Sequence, residues 1–350
     1  MAYEGVVEDV RWAIAGKRPQ RMPVFACSEE FDVRWYGRYA YEEVCQDGHK
    51  MAEVWTAAIE EFDYDWAWLQ VDDCFEFEPL GVGTRGQGDI LRATCEYLPA
   101  TAQTLDRLSM PDPRKDGRMP QKLLALRRLR EHFGERVLIE GSCAAPYSSV
   151  GLLFGLEETM VLALRDPDLL ARACDFFVEL QARYIEAQVQ AGAHAIWLGD
   201  CNAFSGMLSL EQYRRVALPA CQRLVARARA SGAIVHLHNS EISIPYLLAE
   251  AEAGPDIINC GPAADAAEVR RALAGRCCVS GNLDPIALLL RGRPEEVASE
   301  TERLVRLGAQ GGWLFNTGEM VPRDTPEENI RAMVAAVRRT WNELRSQGPT

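Results

Sequence analysis

The strongest constraint on this chain is an alternation. Short apolar runs at residues 21–27, 66–71, 137–140, 195–198, 234–238, 256–260, 277–280 and 312–315 read as strands. Segments with helical spacing of apolar residues follow them. In residues 42–62, for example, Met51, Val54, Trp55 and Ile59 fall on one side of a helix. Strands alternating with helices imply a parallel sheet, and eight such units favour closure into an α/β fold of the (β/α)8, or TIM-barrel, type. An open doubly wound sheet is the alternative, but no G-x-G-x-x-G follows the first strand.

Helix boundaries support the frame. Asp166-Pro167 pairs a capping side chain with a first-turn proline, and Ser209 to Gln212 has capping-box spacing. Thr325-Pro326-Glu327-Glu328 predicts a further capped start. Residues 1–20 read as a leading helix with Val7, Val10, Trp12 and Ile14 on its apolar side. Residues 74–120 are rich in glycine and proline and read as an irregular insertion between strands two and three. The expectation is one domain over residues 1–350.

Bulk properties exclude some functions. A net charge of −13 argues against a nucleic-acid partner, which demands a basic surface. No apolar run approaches the ~20 residues that span a bilayer, so no membrane association is expected. The 11 cysteines show no C-x-x-C spacing, so neither a disulfide framework nor a thiolate zinc knuckle is written. The opening M-A-Y-E-G-V-V-E-D is unlike a signal peptide, and the expected compartment is the reducing cytoplasm.

In such barrels the active site lies at the carboxyl ends of the strands. Those ends carry Cys27 and Ser28, Asp72 and Asp73, Ser142, Asp200 and Asn202, His236 and His238, Asn282 and Asp284, and Asn316 and Glu319. Asp, Asn and Ser also cap the helices that follow, so each has a purely structural alternative. The histidines are more telling. His236 and His238 stand two apart on one strand, so they share a face. A paired core role is the plain alternative, but such a pair also forms half of a metal site. Glu319, after the turn at Gly318, is the natural third ligand. Two histidines and a carboxylate suit zinc, or ferrous iron in a facial triad, with positions open for substrate. A one-residue shift of register decides whether Asp72 or Asp73 points inward.

Several motifs resemble the uroporphyrinogen decarboxylase superfamily, whose fold is a (β/α)8 barrel. The resemblance is carried by G-N-L-D-P (residues 281–285) and N-T-G-E-M-V-P-R-D-T-P-E-E-N-I (residues 316–330). Weaker echoes are Asp72 through Leu80-Gly81, A-P-Y after strand three, and Asp200 with Leu208-Ser209. It extends roughly from Pro23 to Trp341. The superfamily's decarboxylases act on tetrapyrrole acetates without a cofactor, using an aspartate that corresponds to Asp72. Their R-x-x-G-R-Y motif has an echo at residues 34–39, set further past strand one than in the family. Leu152 replaces the tyrosine expected after A-P-W, and Glu319 replaces the last loop's histidine, which points away from that branch.

The other branch holds corrinoid-dependent methyltransferases, with zinc bound by H-x-C and a last-loop cysteine. His236 matches the first ligand, while His238 and Glu319 stand at the two cysteine positions. The resemblance therefore implies a zinc-dependent enzyme that moves a methyl group to the Co(I) corrinoid of a partner protein. Imidazole and carboxylate ligands make a harder Lewis acid than thiolates, which suits an oxygen donor such as an aryl methyl ether. Asp72, Asp200 or Glu241 would orient the substrate or protonate its leaving oxygen, with Asn202, Asn282 and Asn316 as substrate contacts. Trp68 and Trp197 line a pocket or pack the core. The alternatives are a cofactor-free decarboxylase and a non-catalytic, partner-binding scaffold.

Overall fold

The computed structural model describes residues 3–347. Seven parallel strands form one curled sheet: β1 (Trp66–Trp68), β4 (Leu138–Ala144), β5 (Ala195–Gly199), β6 (Ile234–His238), β7 (Ile257–Asn259), β8 (Cys278–Asn282) and β9 (Trp313–Asn316). Two further strands, β2 (Gly83–Gln87) and β3 (Ile90–Glu96), pair antiparallel as a separate hairpin. Helices occupy the connections, as right-handed crossovers between parallel strands require.

The predicted first strand is the one that does not form regularly. Phe25 makes a single parallel bridge to Asn316 of β9, and on the other side the Asp65 amide donates to the Val24 carbonyl at 3.0 Å. The segment thus fills the seam between β9 and β1 and closes the barrel. Pro23 has no amide hydrogen to offer a ladder. The amides that follow bond to side chains instead: Val24 to the Asp65 carboxylate at 2.8 Å and Cys27 to the Thr317 hydroxyl at 3.1 Å.

Two apolar cores result from strand alternation. Val235, Leu237, Ile196, Leu198 and Val279 face outward to the helices. Phe25, Trp66, Trp68, Ala195, Trp197, Ile234, Ile257, Cys278 and Leu314 fill the barrel. The helix Val6–Ile14 adds Val6, Val10 and Ala13 to this inner group, so the leading helix closes one end of the barrel.

Other sequence expectations met mixed outcomes. Residues 42–62 form two helices, Tyr41–Gln46 and Gly48–Phe62, because the Asp47 carboxylate caps the second through the His49 and Lys50 amides. The insertion at 74–120 is not irregular throughout: it holds the β2–β3 hairpin and the helix Ala102–Arg107. The helices Pro146–Phe154 and Leu156–Arg165 escaped the pattern; the first is almost wholly buried and so lacks an amphipathic signature. The caps at Asp166 and Ser209 form as read. Thr325 does not cap: Pro326 takes the N-cap position of Glu327–Ser346 and the Thr325 hydroxyl is buried without a partner.

One residue of the late signature has a clear structural task. The Asn329 amide donates to the carbonyls of Leu289 at 2.8 Å and Gly292 at 2.9 Å. Those carbonyls end the widened helical turn Pro285–Leu290 that follows G-N-L-D-P. Asn329→Ala is expected to cost about 1–3 kcal/mol by orphaning two buried acceptors. Urea unfolding at unchanged slope would check it, and an unmoved midpoint would refute it.

Candidate active site

The histidine strand β6 turns three side chains into the barrel, Ile234, His236 and His238, because its residues alternate faces. His236 is fully buried. Its Nδ1 lies 3.1 Å from Oε1 of Glu140 on β4 and its Nε2 lies 2.8 Å from the Ser280 hydroxyl on β8. An ionised carboxylate only accepts, so Nδ1 carries the proton and Nε2 accepts from Ser280. The second oxygen of Glu140 accepts from the Trp66 indole at 2.8 Å. His236 also meets Phe25 and Trp66 edge to face. It is a pillar of the inner core.

One level higher, His238 presents Nε2 to Oε1 of Glu319 at 3.3 Å. Its Nδ1 is buried without a hydrogen-bond partner. Glu319 arrives from the last loop, where Gly318 adopts φ 73° against the Asn282 backbone. A side chain at Gly318 would be strained at that angle. Beside His238 the Trp197 ring lies with its centroid 4.9 Å away, and Trp68 meets Trp197 at 5.6 Å. Gly199 makes this possible: a Cβ there would stand 2.3 Å from the Trp197 ring. Burial pushes the Glu319 carboxyl up, but the facing His238 outweighs it and holds the group below its ordinary range.

The expected ligand set of His236, His238 and Glu319 is therefore not gathered. Both nitrogens of His236 are engaged, and among the described residues no three His, Cys, Asp or Glu side chains converge on one point. His238 and Glu319 alone suit a metal. Neighbouring ligands of a tetrahedral ion with bonds of about 2.0–2.1 Å lie about 3.3 Å apart, which matches the observed 3.3 Å.

The two aspartates after β1 part company. Asp72 has no exposed side-chain surface and accepts both arms of the Arg118 guanidinium, at 2.8 and 3.0 Å. It cannot serve as the catalytic group expected from sequence while that ion pair holds. Asp73 is exposed at the mouth. Even so it lies deep among protein atoms, and burial with the charges of Glu76 and Asp72 pushes its carboxyl up to about 6.

Asp200 is buried and accepts from the Ser148 hydroxyl at 2.8 Å; burial raises it to about 6. Cys201, next in the chain, is solvent-exposed and stands within electrostatic reach of Asp73, Glu319 and Asp200. Asn316 directs an unpartnered amide into the interior while its oxygen holds the Gly318 amide at 2.8 Å.

Two expected site residues, Glu241 and Asn282, spend their side chains on the surrounding structure, while the Asn202 side chain is not so committed. Glu241 spends its carboxylate on the Ser205 amide and hydroxyl and on the Ile242 and Ser243 amides, at 2.6–2.9 Å. Asn282 donates to the carbonyls of Gly261 and Ala264 at 3.0 Å. Asn202 packs against Gly151, with its backbone amide on Ser148. The sequence reading missed Glu140, Arg118 and Glu29. Glu140, an acid closing the apolar run V-L-I-E, was a signal in plain view.

Comparison with known proteins follows from this geometry. The family model described as Uroporphyrinogen decarboxylase (URO-D) matches residues 8–340. A uroporphyrinogen decarboxylase of Carboxydothermus hydrogenoformans is 26% identical over 322 residues, covering 89% of this chain and 88% of that protein. A methylated-thiol–coenzyme M methyltransferase of Methanosarcina mazei is 29% identical over 299 residues, covering 84% and 78%. Among solved structures, a methyltransferase from Methanosarcina mazei superposes with TM-score 0.86 at 22% identity, covering 96% of this chain and 99% of that one. That likeness shows the shared fold.

Proposed function

The chain belongs to the uroporphyrinogen decarboxylase family, and on that premise we propose that it is a methyltransferase moving a methyl group from a methoxylated small molecule to a Co(I) corrinoid protein. The observation that carries this reading is the His238–Glu319 pair at the mouth, 3.3 Å apart, with Nδ1 of His238 buried and unpartnered. The methyltransferase relative from Methanosarcina mazei supports the same branch. A zinc ion would be held by His238 and Glu319 and would act as a Lewis acid toward the donor oxygen.

The protein's own groups do the rest. Trp197 packs against His238 and Trp68 against Trp197, so that apolar rings back the site from inside the barrel. His236, Glu140 and Ser280 keep β6 in register, so that His238 meets Glu319. Asp73 at the surface and Asp200, buried against Ser148, are carboxyl groups with raised proton affinity. A decarboxylase of the family's other kind would draw on Asp72, which Arg118 occupies here.

The test is metal content by mass spectrometry on tag-free protein, beside single-turnover methyl transfer from a methoxyphenol to a Co(I) corrinoid protein. Near one zinc per chain, lost in His238→Ala and Glu319→Ala together with methyl transfer, is the expected result. Absence of metal, with decarboxylation of tetrapyrrole acetates unimpaired in both variants, would overturn it.

A further inference from the structure

The segment between β1 and the hairpin holds the least ordinary backbone near the mouth. Val71 has φ 65°, a left-handed conformation that a β-branched residue adopts only under constraint. The Asp72 amide donates to the Gln70 carbonyl at 2.9 Å across it, closing a γ-turn, a strained form for an L residue. The Tyr41 hydroxyl pins this turn by donating to the Val71 carbonyl at 2.6 Å. Two consequences follow from the geometry. Asp72 swings into the Arg118 ion pair, and Asp73 emerges on the open side, where the Gln70 side-chain amide holds one of its oxygens. Strain of this kind persists where surrounding structure over-determines it, and it clusters at functional sites.

Behind Asp73 stands Glu29, from the end of the first barrel segment. It is 2% exposed, one of its carboxyl oxygens has no partner, and burial raises its proton affinity, with Glu30, Asp32 and Asp73 adding to it in that order. The groups facing Asp73 come from several elements. They are Glu29, Asp72 and Glu76 as acids, Lys122 as the buried cation, and the Cys201 thiol. Lys122 gives its ammonium to Ser142 and to the Gln70 carbonyl, so its hydrogen bonds are spent below the rim. Arginines nearby are likewise occupied: Arg92 by Glu42 and Glu78, Arg323 by Asp89, Arg34 by Asp324. The rim therefore offers a carboxylated ligand acids and no uncommitted guanidinium among these.

We propose that Asp73, turned into the mouth by the γ-turn at Val71 and backed by buried Glu29, meets the substrate, turns away carboxylated donors and protonates the leaving oxygen of an uncharged methoxy compound. This rests on the methyltransferase reading and names its substrate class. In the step, the methyl carbon–oxygen bond breaks and its electron pair stays on oxygen, which takes the Asp73 proton. The methyl carbon bonds to cobalt through the electron pair of the Co(I) acceptor. The neutral alcohol or phenol leaves, and Asp73 regains its proton from water.

Binding reads the charge preference without any acceptor. Quenching of tryptophan fluorescence is titrated with 2-methoxyphenol and with 4-methoxybenzoate, between pH 5.5 and 8, on wild type, Asp73→Asn and Glu29→Gln. Wild type is expected to bind the benzoate at least about tenfold more weakly at pH 8, a gap that one like charge close by in a partly shielded site produces. The gap narrows as pH falls through the range of Asp73. Asp73→Asn closes the gap and removes its narrowing with pH. Equal affinity for both probes in wild type, or an unchanged gap in Asp73→Asn, overturns the charge role. Single-turnover transfer then reads the proton: Asp73→Asn should lose about a hundredfold with anisole, in the range for a lost general acid, and far less with 4-nitroanisole, whose leaving group needs no proton. Equal losses on both overturn the acid role. Because binding needs neither zinc nor corrinoid, failure of the methyltransferase reading leaves the charge result standing and recognisable.

Discussion

Glu140→Leu is expected to cost about 2–6 kcal/mol of folding stability, about 1–3 kcal/mol for each of two buried donors left without an acceptor. The carboxylate has no exposure, and it is the acceptor for both the Trp66 indole and the His236 imidazole. Leucine would leave two buried donors unpaired inside the barrel, where water cannot reach them. The loss should be strongly coupled. With His236 also changed to leucine, one of the two stranded donors is gone and apolar volume takes its place, so part of the loss should return. A double-mutant cycle in guanidinium measures the coupling. If Glu140→Leu unfolds at the wild-type midpoint, or the double variant is as weak as the sum of the singles, the pair is not the pillar described.

Arg118→Met should be comparably damaging, about 3–5 kcal/mol. The guanidinium engages Asp72 through two bonds, Glu78 at 2.8 and 3.0 Å, and the Cys45 carbonyl at 3.0 Å, and it stacks over the Phe75 ring. Its loss strands Asp72, which has no exposed side-chain surface. Lysine would keep the charge but not the two-armed fork, so Arg118→Lys should recover only part. The pH dependence has a definite sign. Burial raises the Glu78 carboxyl, yet Arg118 and its other partners hold it below the ordinary value on balance. A lowered carboxyl contributes stability above its unfolded pKa of about 4.3 that is lost as pH falls. The penalty of Arg118→Met should therefore be full at neutral pH and shrink in the acid range, where the carboxylates no longer need a cation. A penalty independent of pH would mean that packing on Phe75, not charge, is what Arg118 supplies.

Much of this protein is legible in its residues. Apolar runs of strand length between helical segments specify a parallel sheet covered on both faces, and eight such units without G-x-G-x-x-G after the first favour closure into a barrel. Period-two alternation put His236 and His238 on one face, and the turn at Gly318 brought Glu319 to His238 but not to His236. The caps at Asp166 and Ser209 depend on local bonds alone, so local sequence sufficed. Where an element's fate depended on distant partners, reading failed. Thr325 lost its capping role to the proline beside it. Residues 21–27 became a single bridge because Pro23 lacks a donor and the next amides found the Asp65 and Thr317 side chains.

The site divides along the same line. Which residue types gather at the carboxyl ends of the strands is a property of the sequence, since the barrel's alternation puts them there whatever their contacts. What each does was decided by tertiary structure. His236 is claimed by Glu140 and Ser280 from two other strands, Asp72 by an arginine 46 positions away, and Glu241 by a loop 36 positions away. Asp73 reaches the surface while its neighbour turns inward to Arg118, a division set by the left-handed turn at Val71. Hydrogen bonds and ion pairs choose partners by distance and direction, and those are set only when the barrel closes.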